Sequence, residues 1–339
     1  MKFGWLLPVL LLLGLLLKPG AASSAAADAA LLWWTRVLPS LLPYLITASL
    51  LERSGLFARL PKRIAPLLLW LFGALGGYPV GARLCAALLR DGVLSEADAR
   101  KATAFVNLPN PVFLVSVGAL GMFQSARVLA PLLIGVYSAA ALGLVPLFRL
   151  RFASSAHGSV SLTGSDLPQA IETGVRAILT IGGCMLFASV VGALVEATGV
   201  LLLFGTQRDT AKALLLGLSE MTCGVRQASL LPLPLAVRLA LCAFFVQFGG
   251  GAVLLQTAAQ GKVSLVRYAG IKALLAVCSA LLTYVMTVWL CPDGAIPTMT
   301  SRAQMLENTA SLLSVLLAAA VGLLSIFVFT IGLQRKKTP

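Results

Sequence analysis

Charge is scarce in this chain. Only 11% of its 339 residues are Asp, Glu, Lys or Arg, whereas an ordinary soluble domain carries about 25%. The scarcity excludes a soluble two-domain enzyme. Together with the 59% of hydrophobic residues it also excludes disorder, which requires low hydrophobicity and high charge. Histidine is nearly absent: His157 stands alone in a polar loop, which removes histidine metal sites and Ser–His nucleophiles. The six cysteines show no C-x-x-C spacing, and five lie inside apolar stretches, where a thiol packs as a small hydrophobe. The lack of a Walker motif argues against ATP hydrolysis within this chain, and no cofactor or metal is called for. What is present is apolar sequence in long runs, with a mean hydropathy of +0.94. A spanning helix needs about 20 apolar residues, so the chain reads as an all-α integral membrane protein.

The net charge of +14 would suggest nucleic acid in a soluble protein. Here the basic residues sit singly between apolar runs, the pattern of a topology signal, and the expected partner is the lipid bilayer rather than nucleic acid. The first run, Phe3–Leu17, reads either as a signal peptide with a small-residue site near Ala25–Ala27 or as a retained span; a retained span is the expectation. Seven further spans follow: Leu31–Leu51, Ala104–Phe123, Val128–Phe148, Gly174–Val200, Leu239–Ala259, Ala269–Leu290 and Leu312–Leu333. Two apolar stretches, Ile64–Leu89 and Ala213–Leu235, are interrupted near their middles. Basic residues flank the first of these on both sides (Arg53, Arg59, Lys62 and Arg63 before; Arg90, Arg100 and Lys101 after), so it begins and ends on one side as a re-entrant hairpin. That topology puts fifteen basic residues inside against five outside, with both termini cytoplasmic.

The interrupted stretches belong to an internal repeat. Arg36 and Arg127 are 91 residues apart, as are Arg176 and Arg267. Between them Leu51-Glu52-Arg53-Ser54-Gly55 matches Val195-Glu196-Ala197-Thr198-Gly199, Val80-Gly81-Ala82-Arg83 matches Cys223-Gly224-Val225-Arg226, and Phe105-Val106-Asn107 matches Phe245-Val246-Gln247. Each unit contributes three crossings, an odd number, so the second is inverted relative to the first. The fold expected is about eight transmembrane helices plus two re-entrant helical hairpins in an inverted repeat. It divides into 1–30 (first span or signal-like segment), 31–150 (repeat 1), 151–173 (cytoplasmic linker), 174–291 (repeat 2) and 292–339 (last span and basic tail). Inverted repeats with broken helices typify secondary transporters, whose sites lie near the midplane.

Four clusters form the candidate site. The first hairpin tip holds Gly77, Tyr78, Pro79 and Gly81, with Arg83 beyond; the next span is broken by Asn107, Pro109, Asn110 and Pro111. Prolines end the helix, and the amides supply donors and acceptors to the freed backbone or to a solute. The second tip holds Ser219, Glu220, Thr222 and Gly224, with Arg226 beyond; its matching span carries Gln247, Gly249, Gly250, Gly251 and Gln256. Arg83, Arg226, Asn107, Asn110, Gln247 and Thr222 are the candidate substrate ligands. The two arginines form a carboxylate clamp or, alternatively, snorkel to their own interfaces. Asn107 and Asn110 either bind solute or repair the kink, and Tyr78 reads as an interfacial anchor ahead of a ring that stacks on a ligand. Glu220, an acid costing about 2.5–3.5 kcal/mol inside an apolar segment, is the candidate coupling residue.

Several stretches carry a resemblance: Leu32-Trp33-Trp34-Thr35-Arg36, Gly77-Tyr78-Pro79-Val80-Gly81-Ala82, Asn107-Leu108-Pro109-Asn110-Pro111, Glu220-Met221-Thr222-Cys223-Gly224 and Phe248-Gly249-Gly250-Gly251. Over about residues 30–290 the chain resembles the YlbJ-type sporulation integral membrane proteins of the nucleoside-recognition Gate group, distantly akin to concentrative nucleoside transporters. It departs from the family pattern at the broken span, which lacks the usual Ser-Gly before proline, and at Cys223, where Asn is usual. The resemblance implies a membrane protein of endospore formers, in the cytoplasmic or outer forespore membrane, that passes dipicolinate toward the forespore. The reading is thus a secondary transporter of a small anion and not an enzyme. A nucleoside or nucleobase carrier is the alternative within transport. A non-transporting scaffold for sporulation membrane proteins, or for further copies of the chain, is the rival class.

Overall fold

The computed structural model describes residues 6–54, 63–153, 163–261 and 263–292. The expected last span Leu312–Leu333, the basic tail and His157 lie outside them. Among the described residues every regular element is a helix. Helix α1 (Leu6–Leu17) leads into α2 (Pro19–Leu32), which continues through a π-helical turn into α3 (Leu38–Arg53). The helix through the expected Leu31–Leu51 span therefore starts at Pro19, because the Ala-rich stretch after Lys18 favours helix and buries Ala22 and Ala29.

The first interrupted stretch forms α4 (Ala65–Gly76) and α5 (Val80–Arg90), packed on each other around Gly77-Tyr78-Pro79. Next, α6 (Glu96–Val106), N-capped by Ser95, stops at Asn107. The chain resumes helix at Pro111 and runs as a π-helix over Phe113–Met122. Helices α7 (Leu129–Ala141) and α8 (Leu144–Leu147) complete this half. The second half repeats the order with α9 (Asp166–Ala197), the pair α10 (Arg208–Ser219) and α11 (Met221–Ser229), the broken helix α12 (Leu235–Phe248) and α13 (Gly250–Gln260), and α14 (Leu265–Leu290). Among the described residues, five helices are long and apolar enough to cross a membrane: Pro19–Arg53, Ala126–Leu147, Asp166–Ala197, Leu235–Gln260 and Leu265–Leu290.

The outer surface identifies the solvent. Leu255, Leu274, Leu281, Val266 and Trp289 are all exposed, an extent of apolar surface that water would not tolerate on a monomer. In lipid, burying apolar side chains gains little, so helices associate through close packing of small residues. The α7–α14 contact shows this, with Gly135 seated against the Thr283 backbone. So does the first tip: a Cβ on Gly81 would collide with the Val106 carbonyl oxygen and fall 2.6 Å from Asn107 Cα. Gly77, at φ +75°, takes a conformation that L side chains rarely adopt, and its Cβ would lie 2.7 Å from that of Asn110. The hairpin α4–α5 is thereby pressed backbone to backbone on the break after α6.

This packing makes an opposed pair of expectations. Gly81→Ala should destabilise the purified protein by about 1–3 kcal/mol through overpacking. Gly20→Ala in α2, where nothing lies within 4 Å of the new Cβ, should be neutral or stabilise by up to about 1 kcal/mol. Thermal unfolding in detergent measures both.

Candidate functional site

The two tips and the two breaks meet at the centre. Asn107 is the junction. Its Nδ2 donates to Thr257 Oγ1 (2.9 Å) on α13 and to Tyr268 Oη (2.9 Å) on α14. Its Oδ1 accepts from the Ala82 amide (3.3 Å) in the first turn of α5, and its carbonyl oxygen accepts from Lys272 Nζ (3.0 Å) on α14. Asn110 ties the same break to the first tip: Nδ2 donates to the Leu75 carbonyl, while Oδ1 accepts the Val112 amide (2.7 Å) at the restart of the helix. Tyr137 donates to the Pro109 carbonyl (2.7 Å). Asn110 thus serves backbone groups at the break and the first tip, whereas the Asn107 side chain joins the first turn of α5 to hydroxyls on α13 and α14.

Across the centre, Tyr78 Oη donates to the carbonyls of Gln247 (3.0 Å) and Val246 (3.2 Å) at the end of α12. The second tip turns at Glu220, the one extended residue between α10 and α11. Its carboxylate caps α11, accepting from the Cys223 amide (2.9 Å) and from Thr222 Oγ1 (3.0 Å). It is 3% exposed and makes no ion pair among the described residues. Gly250, at φ +72°, brings the α12–α13 break against this tip: a Cβ there would sit 3.0 Å from the Ser219 carbonyl and 3.1 Å from Glu220 Cα.

Between the tips lies an enclosed pocket lined by Gly77, Tyr78, Asn110, Glu220, Thr222 and Gln256 together with apolar side chains. Its volume is about 20 Å³, room for a water molecule and for no aromatic solute. The conformation is therefore shut around its centre. Gln256 Oε1 and both amide atoms of Gln247 are buried without a hydrogen-bond partner in this state.

The two arginines do not share this pocket. Arg83 is paired with Glu52 (2.8 Å) and lines a separate cavity of about 450 Å³ with Arg53, Arg90 and Asp91. Arg226 is exposed and lines a third cavity, of about 200 Å³, with Asp28, Glu196 and Lys212. No residue is common to the two arginine cavities. The structure thus brings together Asn110, Thr222, Glu220 and Gly77, sets Asn107 and Gln247 just behind them, and leaves Arg83 and Arg226 apart. The Arg83 cavity adjoins another through shared Ala86 and Gln260, and that one reaches Thr257 and Ala82 beside Asn107.

Sequence reading missed Lys272, Tyr268 and Thr257. A lysine within the Ala269–Leu290 run carries the same insertion cost as the acid at 220, and that signal could have found it. Tyr268 and Thr257 carry no such mark.

The chain is similar to the sporulation integral membrane protein YlbJ of Bacillus subtilis (strain 168), at 26% identity over 274 residues, covering 67% of this chain and 67% of the relative. The likeness supports a YlbJ-type assignment. No family model matches the chain, and no solved structure does. Its likeness to that protein and its apolar helices together make the chain an integral membrane protein.

Loss of the junction should be costly. Asn107→Ala leaves the Ala82 amide without its acceptor and removes the donor shared by the Thr257 and Tyr268 hydroxyls, and should lower stability by about 2–3 kcal/mol. Gln247→Leu removes an amide that has no partner, and should be neutral or stabilising in the shut state. Unfolding midpoints of the two purified variants test the contrast.

Proposed function

We propose that this YlbJ-type protein is a secondary transporter of a small anion in endospore maturation, with dipicolinate as the solute. The single observation that carries the transport reading is the meeting of two tips and two helix breaks around one shut pocket, in which Asn110, Glu220, Thr222 and Gln256 stand among apolar side chains. Discontinuous helices at a repeat interface are where secondary transporters hold substrates and coupling ions. The proposed topology is eight spans with two re-entrant hairpins in an inverted repeat, both termini cytoplasmic, in the cytoplasmic or outer forespore membrane. Kinship with the Gate group and the concentrative nucleoside transporters rests on the tip and break motifs. The sporulation setting rests on the likeness to the Bacillus protein.

Support for an anion comes from the wide cavity, where Arg53, Arg83 and Arg90 outnumber Glu52 and Asp91. Such a mouth concentrates anions before they reach the centre. In this reading Arg83 serves the mouth rather than a clamp with Arg226. One observation favours a second reading, a nucleoside or nucleobase: the pocket between the tips presents an acid, amides and a hydroxyl, and neither Arg83 nor Arg226. Counterflow in proteoliposomes loaded with dipicolinate or with nucleosides separates the two. The anion reading expects exchange of labelled dipicolinate, unaffected by excess nucleoside. A scaffold exchanges neither.

Two variants test the parts. Arg90→Gln, at a side chain mostly exposed on the mouth, should raise KM for the anion by roughly 3–10-fold at low ionic strength, with little change in the maximal rate. The effect should shrink in high salt, because exposed charges are screened. Glu220→Gln keeps an oxygen for the Cys223 amide, turns its NH2 as a donor to Thr222 Oγ1, and removes the ionisable group. If Glu220 carries the coupling proton, this variant loses gradient-driven accumulation and retains exchange. Unchanged accumulation removes Glu220 from coupling.

A further inference from the structure

Lys272 is fully buried in the middle of α14, and among the described residues no carboxylate lies within ion-pair distance of it. A buried charge is normally paired, because an unpaired one carries a large desolvation cost. The groups around this ammonium are all neutral. Nζ donates to the Asn107 carbonyl at 3.0 Å and stands 5.0 Å from the centroid of the Tyr78 ring. The carbonyl belongs to the C-cap residue of α6, the negative end of that helix dipole. The ring belongs to the first tip, and its π face attracts a cation. Behind the carbonyl, the Asn107 amide holds Thr257 and Tyr268. Unwound backbone carbonyls at the C-terminal end of a half-helix are the groups with which discontinuous helices coordinate monovalent cations. Here they coordinate a lysine.

We infer that the Lys272 ammonium is a tethered cation, occupying the place at the broken end of α6 where a free monovalent cation would otherwise bind. It joins α14, the first break and the first tip at one point. The shut state is therefore assembled without sodium or potassium. The matching position in the first half, 140 residues earlier by the offset that relates Arg127 to Arg267, is buried Leu132. The inference bears on coupling only through the transporter reading above. Its test is made on the purified protein without solute, so a failure of transport would leave it standing and its own failure would leave transport standing.

Unfolding midpoints are measured at equal ionic strength in choline chloride, sodium chloride and methylammonium chloride. The wild-type protein should melt at the same temperature in all three. Lys272→Ala, which leaves the carbonyl and ring with a vacated space, should melt several degrees lower in choline. It should then recover in methylammonium, and in part in sodium, along a saturating curve, as binding to the native state requires. Lys272→Met fills the space without charge and should be destabilised and unresponsive to all three salts. The inference is overturned if Lys272→Met is as stable as wild type, or if Lys272→Ala melts alike in the three salts. A saturable rise of the wild-type midpoint in sodium over choline also overturns it. That last arm needs no variant, so poor accumulation of both substitutions would still leave a decisive measurement.

Discussion

An interrupted helix in an apolar medium frees backbone donors and acceptors that no water can satisfy. Each must find a partner within the protein. Asn107, Asn110 and Tyr137 meet this demand for the first half, and Asn107 carries the contacts across the centre. One side chain and its own carbonyl engage α5, α13 and α14. Four segments distant in sequence are thus fixed relative to one another by a single residue. The hydrogen bonds are short-range and directional, so the tips cannot separate from the breaks without exchanging these partners for others. A structure held this way changes between discrete arrangements rather than deforming gradually.

The same centre is electrically unusual. Glu220 is buried on one side with only a hydroxyl and an amide as partners, and Lys272 is buried on the other with a carbonyl and a ring. Each ionisable group is served by helix-end dipoles: the carboxylate caps the start of α11, and the ammonium meets the end of α6. Both placements follow the sign of the macrodipole. Helix breaks therefore create the polar ends that make these charges tolerable, and the charges in turn stabilise the breaks. More conventional ion pairs sit at the periphery, as with Glu196 against Arg208 and Lys212, or Arg83 against Glu52.

Much was legible in the sequence, because the bilayer imposes simple rules. Scarce charge and long apolar runs determined an all-helical membrane protein. Gly-Tyr-Pro and Asn-Leu-Pro-Asn-Pro determined where helices stop, since proline lacks the amide and glycine admits the required backbone angles. The breaks at Gly77–Pro79, Asn107–Asn110, Glu220 and Gly249 all fall where the residues placed them.

What only the tertiary structure decided is which side chains converge. Arg83 and Arg226 occupy matching places in the sequence, yet Arg83 pairs with Glu52 while Arg226 is exposed and lines a different cavity. Long flexible side chains follow the nearest partner rather than the symmetry of the backbone. Lys272 looks from sequence like one basic residue among several in apolar runs, and becomes central only because α14 packs against the end of α6. Periodicity and insertion cost act along the chain, so the sequence determined the elements and their interruptions. Pairing across 150 residues or more, as between Asn107 and Thr257 or Lys272, depends on helix packing that no local signal encodes.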